Sequence, residues 1–187
     1  ELSRTSPKFL EALLRLEVPE LKDGRVVIES CARIPGTRAK IAVSTTESGV
    51  DPIGSVVGVK GVRISAVSQE LNGENIDCVE YSPIPEMFIN RALSPAMIKS
   101  VKIEKPIVLD KNNGALIEKG KAVITISSDQ KSKAIGKAGL NIRLTSMLTK
   151  YDIELNEVQS ELPTLNEAQN NEETKTTDTA TLEALFK

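Results

Sequence analysis

At 187 residues, 40% apolar and 27% charged, the chain has an ordinary soluble composition with room for one or two modest cores; no apolar run approaches a membrane span and no signal peptide opens it. The formal charge of −2 hides an asymmetry, with +3 through Leu155 and −5 over residues 156–187. A body this mildly basic does not coat nucleic acid electrostatically, so any polyanion has to be held locally and by shape.

In chain order, Ser6-Pro7 pairs an N-cap residue with proline at the first helical position, and Phe9, Leu10, Leu13, Leu14 and Leu16 follow at helical spacing. After the turn pair Asp23-Gly24, alternation from Val26 to Cys31, reversal at Pro35-Gly36, and Ala39, Ile41 and Val43 predict a hairpin. Its tip gathers Arg33, Arg38 and Lys40, either as a solvated loop or as a phosphate-facing rim. Asp51-Pro52 opens a short helix that runs to Val57. A second helix starts at Val62, turns Val62, Ala66, Val67 and Leu71 inward and stops at Asn72-Gly73, and a strand spans Ile76–Tyr81.

The order then repeats with hardly any linker, which predicts rigidly fused modules and a monomer. Pro85–Leu93 forms a helix that turns Met87, Phe88 and Ala92 toward a core and is stopped by Ser94-Pro95. Ile98, Val101 and Ile103, then Ile107–Leu109, give strand material, and Asn112-Asn113-Gly114 is a turn before the strand Ala122–Ile126. A helix from Ser128 carries Lys131 and Lys133, another covers Leu140–Lys150, and Tyr151–Leu155 is the last strand. Beyond it, residues 158–187 form an acidic tail poor in large apolar groups, with 158–181 expected to be disordered.

Each helix pair is joined by a Gly-x-x-Gly turn. Gly58-Val59-Lys60-Gly61 is followed by Arg63 and Ile64, and Gly136-Lys137-Ala138-Gly139 is preceded by Ile135 and followed by Asn141, Ile142 and Arg143. The turns lie 78 residues apart, so the units divide as 1–82 and 83–157. A lone turn of this kind is weak evidence, because surface turns use glycine for positive φ whatever they do. Two copies, each holding a lysine and flanked by apolar residues, match the mechanics of the RNA-binding KH module, where such a turn clamps single-stranded backbone. Val57 with Ile64, and Ile135 with Ile142, would accept unstacked bases.

Catalysis is not expected. There is no histidine, neither Cys31 nor Cys78 has a basic neighbour, and Lys137 lacks the glycine spacing and hydroxyl of a nucleotide-phosphate loop. The cysteines fall in separate strand-like segments, which predicts buried thiols of a reducing cytoplasm without a disulfide. No cofactor or metal is expected.

Five separated stretches add specificity: Ala32–Val43, Asp51–Gly54, Glu70–Asp77, Ala92–Ala96 and Asp129–Leu144. In this order they resemble the tandem KH region of the bacterial NusA family of transcription factors, over residues 2–155. The resemblance implies an α+β protein of two type II KH domains, each a three-stranded sheet packed against helices. It also implies single-stranded RNA binding beside RNA polymerase, with roles in pausing, termination and antitermination shared with other antitermination factors. Leu2–Thr5 resembles the exit from the family's OB-fold domain, and the start at Glu1 fits a piece of a longer protein. The sequence departs from the family at Leu140, where glutamine is common, and at Lys150, where glycine is usual. A KH scaffold that docks proteins without binding RNA is the alternative.

Overall fold

The computed structural model describes residues 3–159; most of the acidic tail lies outside the described residues. Helix α1 (Pro7–Glu17) begins where Ser6 accepts a hydrogen bond from the Lys8 amide, and the one-turn α2 (Pro19–Lys22) follows. Strands β1 (Val27–Ile34) and β2 (Arg38–Ser44) form the expected hairpin, with a register shift between Ile28 and Ser30. Helix α3 (Pro52–Val57) is capped by the Asp51 carboxylate, α4 (Val62–Glu70) leaves the first glycine turn, and β3 (Asn75–Glu80) joins β2 in parallel. The sheet order β1-β2-β3 leaves β3 at an edge, against which α3 and α4 pack.

Helix α5 (Pro85–Ala92) opens the second module, with β4 (Ser100–Lys105), β7 (Gly120–Ser127), α6 (Ser128–Ile135), α7 (Leu140–Thr149) and β8 (Tyr151–Val158) in the same order. Between β4 and β7 a ribbon projects, β5 (Val108–Leu109) paired with β6 (Leu116–Glu118). The Asn112–Gly114 turn sits at its tip. Strand β6 was not expected, because Leu116-Ile117-Glu118 shows no alternation and no burial. The second sheet, β4-β7-β8, again ends in a parallel edge strand. Strand β8 runs to Val158, three residues past the expected end, because every residue from Tyr151 to Val158 finds a partner on β7.

One face of the first sheet packs Ala39, Ile41 and Val43 against Leu10, Leu14, Val56 and Val67. Its other face is covered by the second module: Ala32, Ala42 and Val79 meet Phe88 and Ala92 of α5 and Leu144 and Leu148 of α7, and the Ser30 hydroxyl donates to the Leu148 carbonyl at 3.0 Å. The linker ring of Tyr81 stands edge-on to Phe88 at 5.1 Å. The outer face of the second sheet is different. Lys121 on β7 bridges Glu104 on β4 and Glu154 on β8 at 2.9 and 3.0 Å, all three exposed.

Three side chains expected on buried faces meet solvent, the first being Leu16 of α1, 80% exposed. Val62 and Met87 are exposed, and Ile64 and Ile89 take the inward positions, because the buried stripe of α5 runs through Phe88, Ile89 and Ala92 and α4 starts in the turn itself. Beneath the hairpin tip Arg33 and Glu74 form a buried pair at 2.7 and 2.9 Å. Glu74→Ala strands a buried guanidinium and should cost about 3–5 kcal/mol, read from the urea midpoint. Lys150 ends α7 at φ 64°, the left-handed region. Lys150→Gly should therefore raise stability by about 1 kcal/mol with an unchanged denaturant slope.

Candidate nucleic-acid interface

The two glycine turns are one conformation built from different sequences. Gly58 and Gly136 lie at φ/ψ of 75°/170° and 74°/175°, Lys60 and Ala138 at 54°/23° and 52°/27°, and Gly61 and Gly139 at 77°/15° and 72°/12°. The first position belongs to glycine twice over. Its dihedrals are open almost only to glycine, and a Cβ would lie 2.8 Å from Arg63 Cγ in one turn and 2.7 Å from Asn141 Cβ in the other.

Arg63 and Asn141, each five residues after that glycine, are fixed by contacts within the protein. Arg63 donates to the Ser55 carbonyl at 2.6 Å and to Glu20 at 2.8 Å. The Asn141 amide donates to the carbonyls of Leu93 and Lys133, both at 3.1 Å. Both side chains lock the turn onto the preceding helix, so they position the loop from behind. Their neighbours stay open. Val59, Lys60, Lys137, Ala138, Lys133 and Arg143 are exposed. Among the described residues no side chain caps the first turn of α4 or of α7, and the Val62 and Leu140 amides bond back to the carbonyls of Val59 and Lys137.

Val57, Ile135 and Ile142 are half-buried and join none of the apolar clusters, whereas Ile64 packs against the first core. Each module thus has a glycine loop, a partly apolar wall and an edge of β3 or β8 that is unpaired among the described residues. The edges were not legible in the sequence, since only the sheet order shows that the last strand of each unit lies outermost.

The hairpin-tip cluster, expected as either a solvated loop or a phosphate-facing rim, is neither at Arg33 and Lys40, which are buried. Arg33 is buried against Glu74 and also donates to the carbonyls of Arg4 and Ser6 at 2.6 and 3.1 Å. Lys40, with a side chain 2% exposed, lies 3.5 Å from Asp77, and Arg38 holds the same carboxylate with two bonds of 2.7 and 2.9 Å. Burial pushes the Lys40 amine below its usual value, and Asp77 opposes that shift. Cationic reach is therefore internally satisfied in these three residues. Lys131 is likewise engaged, by Glu157 at 2.6 Å on an exposed surface.

Cys31 and Cys78 flank Ile41 on neighbouring strands, two strand spacings or about 10 Å apart, beyond disulfide reach. Burial pushes both thiols up to about 12. Among the described residues no three His, Cys, Asp or Glu side chains gather as metal ligands, and no helix is long and apolar enough to cross a membrane.

Residues 4–81 match the NusA-like first KH domain and residues 85–162 the NusA-like second KH domain. The chain belongs to the NusA-like tandem KH family. It is 51% identical over its full length to the transcription termination/antitermination protein NusA of Helicobacter pylori strain J99, covering 50% of that protein. It is 44% identical over 89% of its length to the Thermus thermophilus NusA, covering 40% of it. The chain thus spans about half the length of its H. pylori relative. The crystal structure of APE1850 shares the fold at a TM-score of 0.54 and 22% identity, over 80% of this chain and 97% of that one.

The geometry ranks two substitutions. Gly136→Ala meets both forbidden dihedrals and a 2.7 Å contact, whereas Gly139→Ala meets a positive φ with open space around it. Gly136→Ala should cost more than about 2 kcal/mol and Gly139→Ala about 1, measured by thermal unfolding.

Proposed function

We propose that this chain grips one extended strand of single-stranded RNA with both glycine loops at once, and that it is the RNA-holding part of a transcription termination/antitermination protein. The observation that carries the reading is the pair of matched loops, each beside an uncapped helix start and each presenting an exposed lysine. Glycine lets phosphate approach the backbone, the amides donate to it, and Lys60 or Lys137 adds charge. Bases then lie along Val57 in one module and Ile135 and Ile142 in the other, with the free N–H and C=O groups of β3 and β8 within the same grooves. A duplex, whose bases are already stacked and paired, cannot use such a groove.

Because α5 and α7 pack on the first sheet, the loops are held at a fixed separation, and binding at one raises the effective concentration at the other. Contacts with RNA polymerase and other antitermination factors fall, in this reading, mainly in the parts of the longer relatives that this chain does not span.

The test places carboxylates where phosphate must come. Lys137→Asp with Ala138→Asp alters an exposed tip, and aspartate tolerates the left-handed region, so stability should stay within about half a kcal/mol of wild type. Affinity for an RNA of about ten nucleotides should fall at least about tenfold by isothermal titration, more steeply at low salt. Val59→Asp with Lys60→Asp should do the same, because either loop serves the whole strand. A folded second-loop variant that binds like wild type would overturn the proposal.

A further inference from the structure

The first glycine loop has a second flank. On the side away from β3 lies an open cleft of about 820 Å³, walled by Glu20 of α2, Val50, Asp51 and Ser55 around α3, and Val59 and Lys60 of the loop. No residue of β3 lines it. Helical periodicity makes the separation: Asp51, Gly54, Ser55 and Gly58 share the face of α3 toward the cleft, while Pro52 and Val56 are buried toward the core.

Two features of this cleft are not accounted for by folding. Val59 and Val62 stand 83% and 67% exposed at its mouth, an apolar pair that no cluster of the core uses. Glu20 gives one carboxylate oxygen to Arg63 at 2.8 Å, and its other oxygen accepts nothing among the described residues. Arg25, which also lines the cleft, holds Asp23 at 2.9 Å on the surface, with 44% of its side chain exposed. An apolar wall, free carboxylate oxygens on Glu20 and on Asp51, whose other oxygen accepts from the Ile53 amide, and flanking cations, in a volume within the usual range of small-molecule sites, form a set suited to a single nucleotide.

We propose that the cleft is a flanking-nucleotide subsite: the RNA strand held by the first loop continues around it, and the next base seats against Val59 and Val62. There a base with an exocyclic amino group donates to the free oxygen of Glu20, while Arg25 and Lys60 face its phosphate. Adenine, cytosine and guanine offer that amino group. Uracil presents one ring N–H between two carbonyl oxygens, which a carboxylate repels. This inference rests on the RNA reading above, and it adds a site outside the two grooves.

Isothermal titration of the whole chain with RNAs of graded length separates the two ideas. The starting RNA is the shortest that both aspartate loop variants weaken, and one nucleotide is then added at either end. At the end that meets the cleft, an added adenine, cytosine or guanine should raise affinity about tenfold, and an added uracil less than about twofold. Arg25→Ala should keep the affinity for the short RNA and lose most of the gain. Glu20→Gln, which keeps an oxygen for Arg63, should flatten the preference among bases. Wild-type protein alone decides the matter if either variant fails to fold: no gain at either end, or an equal gain with uracil, overturns the subsite and leaves the grooves standing. The absence of saturable binding to any of the RNAs overturns the groove reading itself, and the subsite with it.

Discussion

The first module is organised around one buried ion pair. Arg33 and Glu74 meet through two bonds with hardly any water around them, and their remaining capacity is spent locally: Glu74 accepts from the Gly36 amide, and Arg33 donates to the carbonyls of Arg4 and Ser6. The start of the chain, the tip of the β1-β2 hairpin and the junction of α4 with β3 are thereby tied at one point. Replacing such a pair by apolar groups is often neutral or stabilising, so its contribution lies in placement more than in net energy. Glu74 immediately precedes β3, whose first amide, that of Asn75, donates to the Thr37 carbonyl at 3.2 Å. The edge that β3 presents beside α3 is set from this junction, and with it one wall of the proposed groove.

The second module reaches the same loop by other means. Where Arg63 reaches back to Ser55 and across to Glu20, the shorter Asn141 spans from α7 to the end of α5 and to Lys133. Dihedrals that agree to within a few degrees therefore do not depend on a shared side chain. What is shared is a glycine that admits whatever lies over it.

Much of this was legible because it is local. Ser6-Pro7 and Asp51-Pro52 start helices where capping chemistry says they should, and the glycine turns join helices at the expected places. The arginines and the lysine of the hairpin tip were misplaced for the opposite reason. A turn rich in cations looks solvated in sequence, but Glu74, which draws Arg33 inward, and Asp77, which holds the half-exposed Arg38, lie 41 and 39 residues away. Val62 deceived in a similar way, since helical spacing does not reveal that its helix begins in an exposed loop. The free edges of β3 and β8 depend on strand order, which no local pattern carries, and the cleft beside the first loop is assembled from segments around Glu20, Val50 and Val59 that have no periodicity in common.

The two sheets treat their outer faces in opposite ways. On the first, small apolar residues receive a helix pair; on the second, Glu104, Lys121 and Glu154 stand in a row across three strands, and their mutual hydrogen bonds raise the lysine's affinity for its proton. A further module docking there as α5 and α7 dock on the first sheet would strip water from those charges and find little apolar surface beyond Val123 in return. The row thus works as an end cap, of the sort that terminates solenoid proteins. A further unit stacked in this mode would meet charge where the first sheet offers Ala32, Ala42 and Val79.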